Sequence, residues 1–287
     1  MNTRHLNAAN GPMIESLEDR TFLSAGPLAE APGVLAAPLA AQFAPAKPLA
    51  AAASYNLMDL NGFNRRGALW TYNATYKTVG SDGKHSGSGS GVTSVSKKTA
   101  RYDNRLCNVV NATAGENKAT IAWYSDRTGT SIMAVAMKAG LGTITLRLHD
   151  TRVAPSVMTI GKTYSDTGSF DGTFSVSDGG ITATGTINGS AQASSTLVGT
   201  QQIRVPAGRF SAVKGTYTVQ MSGRMTLRYE GKTYNAQFSA TVGQAFWAVP
   251  GTGVVKGIST QTTKITVPNE GSETVTGTAT CELTSYK

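Results

Sequence analysis

The side chains able to do chemistry are few and scattered. Outside the first ten residues there are two histidines, His85 and His149. No His-x-His or His-x-x-x-His pair exists, so a histidine-based metal site has little to build on. Asp150 follows His149, but neighbouring strand residues point to opposite faces, and adjacency alone does not make an acid–base pair. Asp166 and Asp171 are the nearest thing to the paired carboxylates of glycoside hydrolysis, and turn capping is the simpler role for each. No Gly-x-Ser-x-Gly elbow presents a serine nucleophile. The Gly/Ser stretch at 85–91 lacks the Lys-Ser/Thr of a phosphate loop. Asp178-Gly179-Gly180 offers a calcium ion only one carboxylate. The expectation is a protein that is not an enzyme, with no metal and no cofactor. A hydrolase acting through His149 is the residual alternative.

The remaining candidates are cysteines, aromatics and bases. Cys107 and Cys281 have no metal-motif spacing. In an oxidising compartment they could form a disulfide closing a long loop, worth about 4 kcal/mol in the chain-entropy model; two buried thiols are the alternative. Trp70, Trp123, Tyr217, Tyr229, Tyr234, Phe238, Phe246 and Trp247 suit either an ordinary core or the lining of a cavity for an acyl chain or other apolar ligand. Of these, Trp70, Tyr217, Tyr229, Tyr234, Phe238, Phe246 and Trp247 are the candidate ligand-binding set. A net charge of +9 favours anionic partners. The bases gather at Lys97, Lys98, Arg101 and Arg105, and again at Arg224, Arg228 and Lys232. Without aromatic interleaving they predict no nucleic-acid interface, and an anionic envelope polymer is one candidate partner.

Strands must position these residues. Only 15% of the chain is charged against 40% hydrophobic, and Gly, Ser and Thr make up the difference, as suits sheets with hydroxyl-bearing outer faces. Trp70, Tyr72 and Tyr76 share one strand parity; Ile144, Leu146 and Leu148 share another, opposite Arg147 and His149. Alternating runs follow at 173–177, 181–187, 201–205, 213–221, 225–229, 234–242, 262–267 and 274–283. Turns are expected at Asp178-Gly179-Gly180, Asn188-Gly189, Glu230-Gly231 and Asn269-Glu270-Gly271. Gly80–Gly91 reads as a flexible turn or a Gly-rich strand end, and Ser131–Ala139 fits a short helix or a buried strand. The pattern predicts an all-β fold, a curved antiparallel sheet closing as a half-barrel or barrel, over residues 54–287.

The first 53 residues read differently. Residues 25–53 are rich in Ala and broken by Pro27, Pro32, Pro38, Pro45 and Pro48, a semi-extended linker rather than a transmembrane segment. Residues 1–24 show no apolar run of the signal-peptide kind. Instead Ser16-Leu17-Glu18-Asp19-Arg20-Thr21-Phe22-Leu23-Ser24 resembles the LEPR-XLL-type N-terminal tag of exported bacterial surface proteins. Asp19 stands in place of the Pro, and Phe22 in place of the first Leu of the final pair. The resemblance implies export, to the periplasm or cell surface, and a disordered N-terminal extension ahead of the β domain.

A second resemblance covers the later strands. Ala154-Pro155-Ser156-Val157-Met158-Thr159-Ile160-Gly161-Lys162-Thr163-Tyr164, Val205-Pro206-Ala207-Gly208-Arg209-Phe210-Ser211-Ala212-Val213-Lys214 and Phe246-Trp247-Ala248-Val249-Pro250-Gly251-Thr252-Gly253-Val254-Val255-Lys256 are similar, in order and spacing, to three motifs of TapB-like exported β-proteins. That group has lipoprotein-carrier-like half-barrels among its structural relatives. It implies a sheet wrapped around an apolar interior, brings no catalytic residue, and makes a lipid or other apolar ligand the expected partner. The functional expectation is an exported, non-catalytic β-domain at the cell envelope that binds an apolar or lipid-like ligand. The alternative is a structural or adhesive surface component that engages anionic polymer.

Overall fold

A computed structural model describes residues 53–81, 83–139, 142–178, 181–229, 231–268 and 271–287. The expected tag at 1–24, and the linker at 25–53 up to its last residue, lie outside them. The described chain opens with strand β1 (Ser54–Tyr55) and one short helix, α1 (Leu57–Asn61). It continues as β2 (Leu69–Gly80), β3 (Gly83–Val95), β4 (Ala100–Tyr102), β5 (Arg105–Ala114), β6 (Asn117–Ser125), β7 (Thr130–Ala139) and β8 (Gly142–His149). After the short β9 (Arg152–Ala154) and β10 (Met158–Thr159) come the long strands β11 (Thr163–Asp178), β12 (Ile181–Val205), β13 (Gly208–Tyr229), β14 (Lys232–Val249), β15 (Gly253–Val267) and β16 (Gly271–Tyr286).

Twelve of these strands close an antiparallel barrel. β5 to β8 and β11 to β16 pair in chain order, β16 returns to β2, β2 pairs β3, and β3 pairs β5 to complete the ring. Closure removes the exposed sheet edges that would otherwise invite intermolecular pairing. It also settles the choice between half-barrel and barrel in favour of the barrel. Ser131–Ala139 is strand, within β7.

The alternation is apolar inward and polar outward. In β8, Ile144, Leu146 and Leu148 are buried while Thr143, Thr145 and Arg147 are exposed; in β14, Ala236, Phe238, Ala240 and Val242 are buried while Asn235, Gln237, Ser239 and Thr241 are exposed. A lipid-facing barrel reverses this arrangement. Inward side chains from every wall merge into one core with Leu57, Met58 and Leu60 of α1, so α1 plugs one end. Its local sequence explains its limits. Asn56 Oδ1 accepts N–H bonds from Met58 and Asp59 at 2.9 and 3.2 Å, capping the start. Gly62 takes the left-handed conformation at the end, φ 74°.

One expected turn moves, and the strand reading holds for the Gly/Ser stretch. Asn188-Gly189 lies mid-strand in β12, where Gly189 pairs with Phe170 on one side and Gly223 on the other. Glycine is required there by close approach, since a Cβ at Gly189 would collide with Ser222 O. The Gly/Ser stretch at 85–91 is ordered strand in β3, with Ser86, Ser88 and Ser90 exposed. On the opposite face, Gly87 leaves room for the Tyr76 ring, which a Cβ would meet at 2.7 Å.

Candidate functional site

Three places on the barrel collect the candidate residues: the interior under α1, the outer wall around His149, and the surface of the plugged end. The interior follows from how α1 is seated. Trp70 lies inward on β2, 2% exposed, and its indole N–H donates to Thr252 O. Gly62 and Gly253 crowd this ring so closely that a Cβ on either would meet it at 2.8 or 2.9 Å. Phe63, just beyond α1, sets its ring 5.3 Å from that of Trp123.

Behind this seal lies a cavity with about 40 Å³ of room for water centres. Asn61, Phe63, Tyr72, Trp123, Gln244 and Phe246 supply much of its wall, together with Tyr217 and Cys281. Tyr72 donates its hydroxyl to Val254 O at 2.8 Å. Burial raises the phenol pKa values of Tyr72 and Tyr217, and pushes the Cys281 thiol up to about 11. All three stay protonated at neutral pH. The lining contains no charged side chain.

The expected ligand-binding set is not brought together. Tyr217 and Phe246 line the cavity, and Trp70 seals its end. Phe238 sits further along the interior, edge-on to Phe170 with ring centres 6.3 Å apart. Tyr229 and Tyr234 belong to a separate cluster with Ala183, Val176 and Leu227 at the far rim. Trp247 points outward, where its indole N–H donates to Gln201 at 2.9 Å and Lys214 Nζ lies 5.2 Å from the ring centre. Strand alternation alone separates Trp247 from Phe246, because neighbouring strand residues point to opposite faces. It misses Asn61 and Phe63, which reach the interior from outside the strands.

The disulfide is corrected as well. Both cysteines are free and buried. Cys281 faces the lumen, whereas Cys107 lies in an outer satellite cluster with Ala122, Met133 and Ala134. The barrel wall therefore stands between the two thiols.

On the outer wall, His149 sits between two carboxylates. Its Nε2 contacts Asp171 Oδ1, and its Nδ1 lies 3.6 Å from Asp103 Oδ2. Asp171 reaches it diagonally across the β8–β11 ladder. Asp103 arrives on the tight β4–β5 turn, where Asp103 and Asn104 both have positive φ, 44° and 62°. Ser169 stands directly opposite His149 in register, yet both ring nitrogens already face carboxylates and neither is turned to a serine proton. Asp166, the other candidate acid, accepts N–H bonds from Arg152 at 3.1 Å and Thr167 at 3.0 Å.

At the plugged end the basic group grows. The Gly67 N–H donates to Val95 O at 2.9 Å, tying the 65–67 turn to the end of β3. Lys97 runs alongside, its Cε 3.5 Å from where a Gly67 Cβ would stand. The turn that carries Arg65 and Arg66 is thereby tied to the strand end that leads into Lys97 and Lys98, and all four side chains are exposed. Arg65 also donates to Gly251 O across the barrel mouth. Arg105 departs from the group, with its guanidinium 5.2 Å above the Tyr124 ring.

No family model and no curated protein matches the chain. Among solved structures, a candidate lipoprotein from Parabacteroides distasonis aligns at 12% identity over 77% of this chain and 95% of its own, with a TM-score of 0.24. A candidate exported protein with a YmcC-like fold from Bacteroides fragilis aligns at 14% identity over 77% and 96%, with a TM-score of 0.22. A porin aligns at 8% identity over 74% and 99%, with a TM-score of 0.19. Likenesses this weak carry no argument, and the barrel rests on its own strand pairing.

Proposed function

We propose that this chain is exported and serves, without catalysis, as an interaction module at the cell envelope whose plugged end engages an anionic polymer. The observation that carries the reading is the bond from Gly67 to Val95, which ties the turn bearing exposed Arg65 and Arg66 to the strand end that leads into exposed Lys97 and Lys98. Clustered exposed bases focus a positive potential that attracts polyanions through long-range, salt-sensitive forces. The N-terminal segment resembling an export tag supports the location. Support for a non-catalytic role comes from His149, whose ring nitrogens are both turned to carboxylates. What weighs against an apolar ligand is volume. Drug-sized ligands occupy roughly 300–1,000 Å³, while the cavity under α1 measures about 40 Å³.

The test uses the full chain and dextran sulfate as probe. Binding is expected to weaken steeply between 50 and 300 mM salt. The triple variant Arg66→Glu/Lys97→Glu/Lys98→Glu should lose tenfold or more in affinity, whereas Arg224→Glu/Arg228→Glu, on the outer face of β13 towards the other end, should lose little. Equal losses would mean diffuse charge and overturn the assignment, as would an absence of binding. Native mass spectrometry before and after organic extraction reads the alternative, since an extractable apolar adduct would restore the carrier function.

A further inference from the structure

Two residues that line the cavity under α1 carry buried polar atoms that the protein leaves without partners. Asn61 Oδ1 and Trp123 Nε1 are both buried and hydrogen-bond to no other protein group. Their residues are 6% and 4% exposed, and both line the same cavity. An unmet buried donor or acceptor is destabilising, and two of them on residues that line one space make a strong demand for a guest. The other two tryptophans make the contrast, since Trp70 donates to Thr252 O and Trp247 to Gln201.

The walls define what that guest is. No charged side chain lines the space, and an unpaired ion would carry a desolvation cost that nothing here offsets. The guest is therefore neutral. It must both accept, from the Trp123 indole, and donate, to the Asn61 carbonyl. Gln244, Thr93 and Tyr72 add polar groups to the lining, which separates this cavity from the purely apolar ones that stay dry. One water needs about 10–15 Å³ for its centre, so the 40 Å³ present accommodates about three. An escape route by swinging α1 aside is opposed by the burial of Leu57, Met58 and Leu60 and by the Trp70 seal.

We infer that this cavity is a built hydration site, in which a small cluster of ordered waters accepts from Trp123 Nε1 and donates to Asn61 Oδ1, fixing α1 to the barrel wall opposite. The waters act as a polar grout between a helix that arrives from outside the sheet and a wall otherwise lined by rings. The site is independent of the anionic-polymer reading, because it lies inside the barrel and contains no base.

The experiment is proton NMR on the full chain with ¹⁵N-labelled tryptophan, which gives three indole N–H signals. Trp70→Phe, Trp123→Phe and Trp247→Phe assign them, and any two variants that fold assign the third by elimination. The Trp123 indole proton should show a cross-peak at the water frequency with the sign of a dipolar contact rather than of proton exchange. The Trp70 and Trp247 indoles should show none. A missing cross-peak at Trp123 would overturn the assignment. So would contacts from that indole to non-water, non-protein protons, which would identify an organic guest instead.

Discussion

The two halves of the barrel fill the same kind of space by different means. At the plugged end a separate element enters, and directional bonds hold it: Asn56 caps α1 and donates to Ser156 O at 2.9 Å, while Trp70 reaches Thr252. Midway along, no element among the described residues plugs the barrel, and the sheet fills itself. Phe170, Gly189, Gly223 and Phe238 stand in one row across β11, β12, β13 and β14. In a flat sheet the two phenylalanines would be three strand spacings apart, roughly 14 Å. Their ring centres are instead 6.3 Å apart. The two glycines present no side chains between the rings, so the wall curls inward and the aromatics close over it. Space is thus filled by closing the wall over missing side chains in one half and by an inserted helix in the other. The first device tolerates no added atoms, while the second fails by losing them.

The largest effect should therefore come from adding one carbon. A Cβ at Gly189 would collide with Ser222 O, and one at Gly223 with Asn188 O; both obstacles are backbone and cannot rotate away. Gly189→Ala should cost about 3 kcal/mol or more, the upper range for overpacking, and lower the folded yield. Gly89→Ala is the control, because nothing lies within 4 Å of that Cβ, and its chemical-denaturation midpoint should stay unchanged or rise slightly. Equal losses at both positions would mean that strand glycines matter for reasons other than curvature. At the plugged end the effect comes from subtraction. Leu60, 1% exposed, should cost about 2–5 kcal/mol as Leu60→Ala. If α1 is an independent plug rather than part of one cooperative core, hydrogen exchange in that variant should speed up around Trp70 and Trp123 before it does around Phe170 and Phe238.

How much of this was legible in the sequence follows the same division. Inward and outward parity along β8 and β14 could be read directly, because a two-residue period needs no tertiary information. Strand length could not. Asn188-Gly189 carries the local signature of a hairpin turn, and only its neighbours, Phe170 and Gly223, make it a mid-strand bend. The aromatic set fails for a related reason. Burial can be inferred residue by residue, but which buried rings share a space depends on how the strands wrap around the barrel and on Phe63 arriving from outside the sheet. Asp171 was singled out as an acid, though its pairing with His149 is a cross-strand diagonal that exists only once β8 and β11 are in register.

A smaller test sharpens the contrast between directional bonding and close packing. The turn from β6 to β7, at the plugged end, is organised by Asp126. One carboxylate oxygen accepts from the Thr128 hydroxyl and backbone N–H at 2.6 and 2.7 Å and from the Gly129 N–H at 3.2 Å, and the other accepts from the Tyr124 hydroxyl at 3.1 Å. These bonds, the Thr128 hydroxyl foremost, hold the Asp126 pKa down at about 2. An unfolded aspartate titrates near 3.9, so the folded state binds this proton less readily. The stabilisation is fully present above about pH 4 and is lost as the pH falls from 4 towards 2. Solvent screening at this exposed turn limits it to about 1 kcal/mol or less. The difference in Tm between the wild type and Asp126→Ala should therefore be largest above pH 5 and shrink towards pH 2. The difference between the wild type and Gly189→Ala should keep its size over that range, because colliding atoms carry no proton. A Gly189→Ala penalty that also faded in acid would mean the two ends are coupled through charge, and the division drawn between them would fall.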